Sequence, residues 1–178
     1  MGMKPFFKGQ GYSRDYSRDY RGGQPRDRGS SLPLRGVPEQ NNEIVEVRSA
    51  ITKLNRMSDL KAKDFADLEG YAAKVAKSLG KESNSQLRKF FEPLVEIESR
   101  LKRGESWGKL EGKLHMSIPM LAYAVGRDLV PRSFFELMEV CIKKVVVEGD
   151  TDDQKKESFG RFMEFLRAIV AYNKYFKG

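Results

Sequence analysis

From residue 43 to residue 177, apolar residues recur at intervals of three and four, the spacing that places side chains on one face of an α-helix. The stretch Ser83–Phe91 opens the clearest example: Leu87 and Leu94 fall on the packed side, Arg88 lies at its edge and Lys89 on the outer face. No segment carries a competing strand pattern. The sequence therefore predicts an all-α fold, a compact bundle of five to six helices with short connections.

Turn residues divide this pattern into separate helices. We expect one helix over residues 44–54 and a second over residues 65–79, closed by Gly80. Two further helices follow the central part of the chain, one beginning near Ser133 and one after the loop at residues 149–153. The last helix has an apolar face that covers nearly half of its circumference, which indicates deep burial.

Two prolines influence the helices predicted in the middle of the chain. Pro93 falls inside the third predicted helix, where it removes a backbone donor and predicts a kink or a break, and Gly104 is expected to end that helix. The run over residues 118–127 is apolar all round, so we expect a central, buried helix with Ser117 as its N-cap and Pro119 in its first turn.

The first 40 residues differ in composition from the rest. They hold the tandem repeat Ser13–Tyr20, several Gly and Pro residues, and almost no aliphatic side chains before Leu32. Such a segment cannot bury enough apolar surface to offset its ordering entropy, so we predict a disordered Arg/Tyr/Gly-rich tail over residues 1–40 and a helical bundle domain over residues 41–178. Arg and Tyr among Gly can contact RNA, whereas the equal numbers of Arg and Asp in the tandem repeat favour a solubilising tail.

Charge and cysteine content limit the classes of partner and compartment. The formal net charge of +8 favours polyanionic partners such as nucleic acid. Cys141 is the sole cysteine, which excludes an internal disulfide and favours a reducing compartment. The longest apolar run, residues 118–125, contains a proline and is too short to span a bilayer. We expect a cytoplasmic protein without a membrane partner.

Patterns typical of catalysis are missing from the sequence, which has no GxxxxGK[ST], GxGxxG, HExxH or GxSxG motif. His115 is the sole histidine and has no nucleophile beside it in sequence. The acidic residues Asp150, Asp152 and Asp153 cluster in a loop but lack the spacing of a calcium site. We therefore predict a protein that is not an enzyme, with no cofactor and no metal site.

Basic side chains on a helical frame remain as the candidates for function. For any one of them, an ion pair, a packed stem or a helix cap is a sufficient explanation, and Arg88 could pair with Glu92 four residues on. Together, Arg and Lys without a base-reading motif suit sequence-independent phosphate contact. The basic candidates are Arg48, Lys53, Arg56, Arg88, Lys89, Lys113, Arg127, Arg132, Arg167 and Lys174.

Three stretches, in this order and spacing, resemble a known family: Ser-Gln-Leu-Arg-Lys-Phe-Phe at 85–91, Leu-Ala-Tyr-Ala-Val-Gly-Arg at 121–127, and Phe-Leu-Arg-Ala-Ile-Val-Ala-Tyr at 165–172. Over about residues 43–177 the chain resembles the Csm-type small subunit of the type III-A CRISPR–Cas effector complex. The resemblance implies a helical, non-catalytic subunit whose copies stack along the groove side of the backbone subunits. It implies as partners crRNA, target RNA, the backbone and large subunits, and further copies of the chain itself.

The resemblance also suggests site residues. Gln86, Arg88 and Lys89 lie in the first stretch and Arg127 ends the second, and similarity implies phosphate contact or packing between subunits at these positions. Two more residues are added because they lie on the first helix and its basic outer side. The candidate RNA-binding residues are therefore Lys53, Arg56, Gln86, Arg88, Lys89 and Arg127.

These observations lead to the hypothesis of an RNA-binding structural subunit that lines the path of the crRNA–target duplex through sequence-independent phosphate contacts. Two alternatives stay open at this point: a protein-only interaction scaffold, and a general RNA-binding protein that acts through its basic tail. An RNA nuclease is a third alternative, against which the absence of clustered His, Asp and Glu argues.

Overall fold

The computed structural model describes residues 42–80 and 83–177, and within them it contains seven α-helices, one 3₁₀ turn and no strand. The all-α prediction is confirmed, and six helices remain when the five-residue α2 is set apart. The tail predicted over residues 1–40 lies outside the described residues. In chain order the elements are α1 Asn42–Thr52, the 3₁₀ turn Met57–Asp59, α2 Ala62–Ala66, α3 Tyr71–Ser78, α4 Ser83–Lys102, α5 Trp107–Gly126, α6 Arg132–Val145 and α7 Asp152–Lys177.

The last helix, α7, is the centre of the bundle. It packs against α2, α3, α4, α5, α6 and the 3₁₀ turn. Its ring contacts are close: the centroid of Phe159 lies 5.7 Å from that of Trp107 on α5, and Phe165 meets Phe65 on α2 edge-on at 5.6 Å. The deep burial predicted from the wide apolar face is therefore confirmed. The buried apolar residues of α7 are Phe159, Phe162, Met163, Phe165, Leu166 and Ile169.

The prediction of a single helix over residues 65–79 is wrong. A tight turn at Gly70 divides this segment into α2 and α3. The Gly70 N–H donates to the Asp67 carbonyl over 2.8 Å. A Cβ added at Gly70 would lie 2.8 Å from the carbonyl carbon of Phe65, closer than real side chains come to backbone. Leu68 stands in this turn and is 52% exposed.

The helix start predicted at Ser117 is also wrong, and of the kink or break predicted at Pro93, the break does not occur. Helix α4 continues through Pro93, and α5 continues through Pro119. Ser117 is buried in the middle of α5 and donates its hydroxyl to the Leu114 carbonyl over 2.6 Å. Both helices bury long apolar faces, and this packing outweighs the one backbone hydrogen bond that each proline removes.

Helices α4 and α5 form an antiparallel hairpin. Gly104 ends α4 as predicted: it has a φ of +86°, its N–H donates to Leu101, and the next N–H, of Glu105, donates to Arg100. Further along, the Lys113 ammonium lies 3.1 Å from the Glu96 carboxylate. The hairpin therefore places the first turns of α4 beside the last turns of α5. None of the described helices is long and apolar enough to cross a membrane.

We predict that Gly70→Ala destabilises the fold by about 1–3 kcal/mol, because the added methyl group meets the backbone of the preceding turn. Gly112→Ala is the matched control: it lies on an exposed face of α5 with open space around its Cα, and should stabilise the chain by about 0.5–1 kcal/mol. Urea denaturation of both variants measures the difference. Equal effects of the two substitutions would contradict the close approach at Gly70.

Candidate nucleic-acid interface

The first turns of α4 and the last turns of α5 enclose an open groove of about 410 Å³. Leu121 and Ala124 form part of its apolar floor, and Gln86, Lys89 and Arg127 stand at its polar edge. Half of the predicted RNA-binding residues, drawn from two stretches far apart in sequence, thus meet in one place. None of the described residues that line the groove is acidic.

Backbone geometry at the end of α5 holds Arg127 in position. Arg127 is the C-cap residue, and Asp128 follows it in the left-handed region with a φ of +56°. The Asp128 N–H donates to the Val125 carbonyl over 2.9 Å, and the Leu129 N–H donates to the Ala124 carbonyl over 3.0 Å. This pair of bonds is the Schellman arrangement, which closes a helix and fixes the direction in which the chain leaves it.

The outer face of α5 is apolar and exposed, so the prediction of a buried central helix over residues 118–127 is wrong. Met116, Met120 and Tyr123 expose 62%, 49% and 67% of their surfaces. The guanidinium carbon of Arg127 lies 5.7 Å from the centre of the Tyr123 ring, within the range of a cation–π contact. An aromatic ring, a guanidinium and a thioether therefore stand together at the mouth of the groove.

Sequence reasoning did not select Met120 or Tyr123 as site residues, although a signal was present. Met116, Met120, Tyr123 and Arg127 follow one another at intervals of four, three and four, which puts them on one face of a helix. A helix that is apolar on every side can bury only part of its circumference in a small bundle. An exposed apolar remainder of this kind is typical of contact surfaces.

Ion pairing separates the basic candidates into two groups. Within residues 42–80 and 83–177, Arg88, Lys89 and Arg127 form no ion pair, and the pair considered between Arg88 and Glu92 is not formed. Arg88 and Lys89 are both exposed on α4, although Arg88 does not line the groove. Other candidates are engaged: Arg48 and Arg132 with Glu136, Lys113 with Glu96, and Arg167 with Glu98.

The two candidates from the first helix region lie after the end of α1, away from the groove. Lys53 is exposed. Arg56 binds Asp150 through Nε, which lies 2.8 Å from both carboxylate oxygens, and through a terminal nitrogen at 2.7 Å from one of them. The Asp150 side chain is only 3% exposed, so Arg56 supports the loop before α7. Its guanidinium is occupied by a contact that the sequence did not predict.

The Arg56 contact also affects the titration of Asp150. Hydrogen bonds from Arg56 hold the pKa of the Asp150 carboxyl below its usual value. Because the unfolded value is about 3.9, the stabilisation is fully present above about pH 4 and is lost as the pH falls through the lower folded pKa.

We predict that Arg56→Met lowers the melting temperature by several degrees near neutral pH, because it leaves a shielded carboxylate without its partner. The difference in melting temperature between this variant and the unmodified chain should shrink as the pH is lowered through the acid range, since protonation removes the negative charge of Asp150. Lys53→Met, at a nearby exposed position, is the control and should change little. Thermal melts across pH measure this, and a difference that persists unchanged in acid would contradict the pairing.

The remaining candidate groups do not gather at a centre. The part of the chain that the structure describes has no group of three or more His, Cys, Asp or Glu side chains placed to hold a metal ion. Cys141 is fully buried on α6, and burial raises the pKa of its thiol. His115 is exposed and lies 3.9 Å from the Glu111 carboxylate on the same helix.

Comparison with protein-family models matches residues 62–178 to the family described as Csm2 Type III-A. The chain belongs to this family. It is thus a Csm2-type small subunit of a type III-A CRISPR complex, as the three sequence stretches indicated. The match begins at Ala62, so α1 and the 3₁₀ turn lie before it, although the resemblance was drawn from residue 43. No curated protein and no solved structure matches this Csm2-family chain.

Proposed function

We propose that this Csm2-family subunit is a non-catalytic RNA-binding component of its type III-A complex, and that it lines the path of the crRNA–target duplex. The contact surface is the polar edge of the α4–α5 groove, formed by Gln86, Lys89 and Arg127, together with Arg88, which is exposed beside it on α4. Lys53 is an outlying contact of the same kind. Arg56 is left out of this surface because Asp150 already binds its guanidinium.

The observation that carries this proposal is the absence of ion pairs at three basic side chains. Arg88, Lys89 and Arg127 have no carboxylate partner among the residues that the structure describes, and the groove beside them has no acidic lining. Cations without partners in the protein can neutralise phosphates and release counterions without first breaking an ion pair. Most other basic candidates would have to break such a pair.

The mechanism is positioning by backbone contact. Arg and Lys on a rigid frame bind phosphates whatever the base sequence, so the subunit would hold RNA in register and pairing with crRNA would read the sequence. The Schellman turn and the Tyr123 ring restrict the freedom of Arg127 before RNA arrives, which lowers the ordering entropy lost on binding. The other subunits of the complex and neighbouring copies of this chain would complete the channel.

We predict that Arg88→Ala, Lys89→Ala and Arg127→Ala each weaken the binding of RNA to the full-length subunit. For a given variant, RNAs of unrelated sequence should lose affinity to a similar degree. Each substitution should also lower the slope of log affinity against log salt by about 0.7–0.9 per lost phosphate contact. Fluorescence anisotropy with unrelated RNA sequences over a salt series measures both effects.

Lys63→Ala is the matched control, because it removes one exposed lysine from α2, outside the groove, and changes the net charge by the same amount. It should leave the salt slope nearly unchanged. Circular dichroism establishes that each variant is folded. An equal loss in Lys63→Ala would mean that net charge alone governs binding, and strong preference for one RNA sequence would contradict the backbone mechanism.

A further inference from the structure

The α4–α5 groove has a shape and a lining that phosphate contact alone does not use. Phe90, Leu121 and Ala124 are buried at its base, while Met120 and Tyr123 remain about half or more exposed at its side. Its volume of about 410 Å³ falls within the range of about 300–1,000 Å³ that is usual for small-ligand sites. An apolar cleft of this size beside unpaired cations suits a ligand that is both planar and anionic.

The polar groups around the groove further restrict the class of ligand that it can bind. Tyr123 and Arg127 present a ring and a guanidinium about 5.7 Å apart, the two kinds of surface on which unpaired bases stack. The Gln86 amide has both a donor and an acceptor for a base edge, and its amide nitrogen bonds only weakly, at 3.4 Å, to the neighbouring Ser85 hydroxyl. Lys89 stands at the same edge and can bind the attached phosphate.

We propose that this groove binds one unpaired nucleobase of an RNA strand, stacked on Tyr123 with its phosphate held by Lys89 and Arg127. This inference rests on the proposed function, because it assigns a base subsite to the same surface. A purely apolar protein side chain is a poorer occupant, since it would bring Lys89 and Arg127 out of water without an anion to pair with them.

The test compares two single-stranded RNAs with the same number of phosphates. One is a short oligoadenylate, and the other has abasic residues in place of every adenosine. We expect the full-length chain to bind the abasic strand about ten-fold or more weakly, because base–aromatic stacking is lost. Tyr123→Ala should abolish most of this difference, whereas Tyr123→Phe, which keeps the ring, should preserve it.

Tyr175→Ala is the matched control, because it removes a tyrosine of similar exposure, 73% against 67% for Tyr123, from α7 outside the groove. It should leave the preference for the oligoadenylate intact. A strand with a single 2-aminopurine gives a second readout: its fluorescence should change when the unmodified chain or Tyr123→Phe binds, because the base leaves its stacked neighbours for the ring, and should change little with Tyr123→Ala.

The outcomes separate this inference from the proposed function. Equal, salt-dependent binding of both strands would overturn the base subsite while leaving phosphate contact in place. A base preference that survives in Tyr123→Ala would also overturn it, because the base would then bind elsewhere. Failure of the full-length chain to bind either strand would overturn both proposals.

Discussion

Burial of one face of α7 holds this bundle together, because that face contributes to the interfaces with α2 through α6. Its phenylalanines meet Trp107 on α5 and Phe65 on α2, and each fully buried side chain of this size stabilises the fold by about 1.5–3 kcal/mol. Helices α4 and α5 take their relative position from this shared support. The groove between them is therefore a property of the core as well as of its own lining residues.

The groove depends on how the two helices of the hairpin are closed. A Schellman turn at Gly104 reverses the chain, and a second one at Asp128 ends α5 beside the start of α4. These turns bring Lys89 and Arg127 to one edge while Tyr123 stays outside the core. A fold stabilised by α7 can leave this face of α5 exposed among the residues that the structure describes, which suits a subunit of a larger assembly.

Periodicity predicted the parts of the fold that depend on local sequence. Leu87 and Leu94 are buried as their spacing indicated, and the wide face of α7 lies in the core. The errors have non-local causes. Gly70 divides a continuous apolar pattern because its backbone approaches that of Phe65. The spacing of the apolar residues does not predict this approach.

The candidate site was predictable only in part, for the same reason. The three stretches that suggested the Csm2-type family supplied Gln86, Lys89 and Arg127, but their meeting depends on the pairing of α4 with α5. Arg56 could not be separated from the other cations by sequence, since its partner Asp150 lies 94 positions away. Tyr123 was not selected because it lies in the apolar run over residues 118–127, which was predicted to be buried.

Photo-crosslinking tests the central claim most directly. Thiouridine-labelled RNA would be crosslinked to the full-length subunit, and the attached peptides would be identified by mass spectrometry. The account predicts crosslinks concentrated at the start of α4 and the end of α5, around Lys89 and Tyr123, and lost at high salt. Crosslinks confined to the opposite faces of the bundle, or to residues 1–41, with none on α4 or α5, would contradict it.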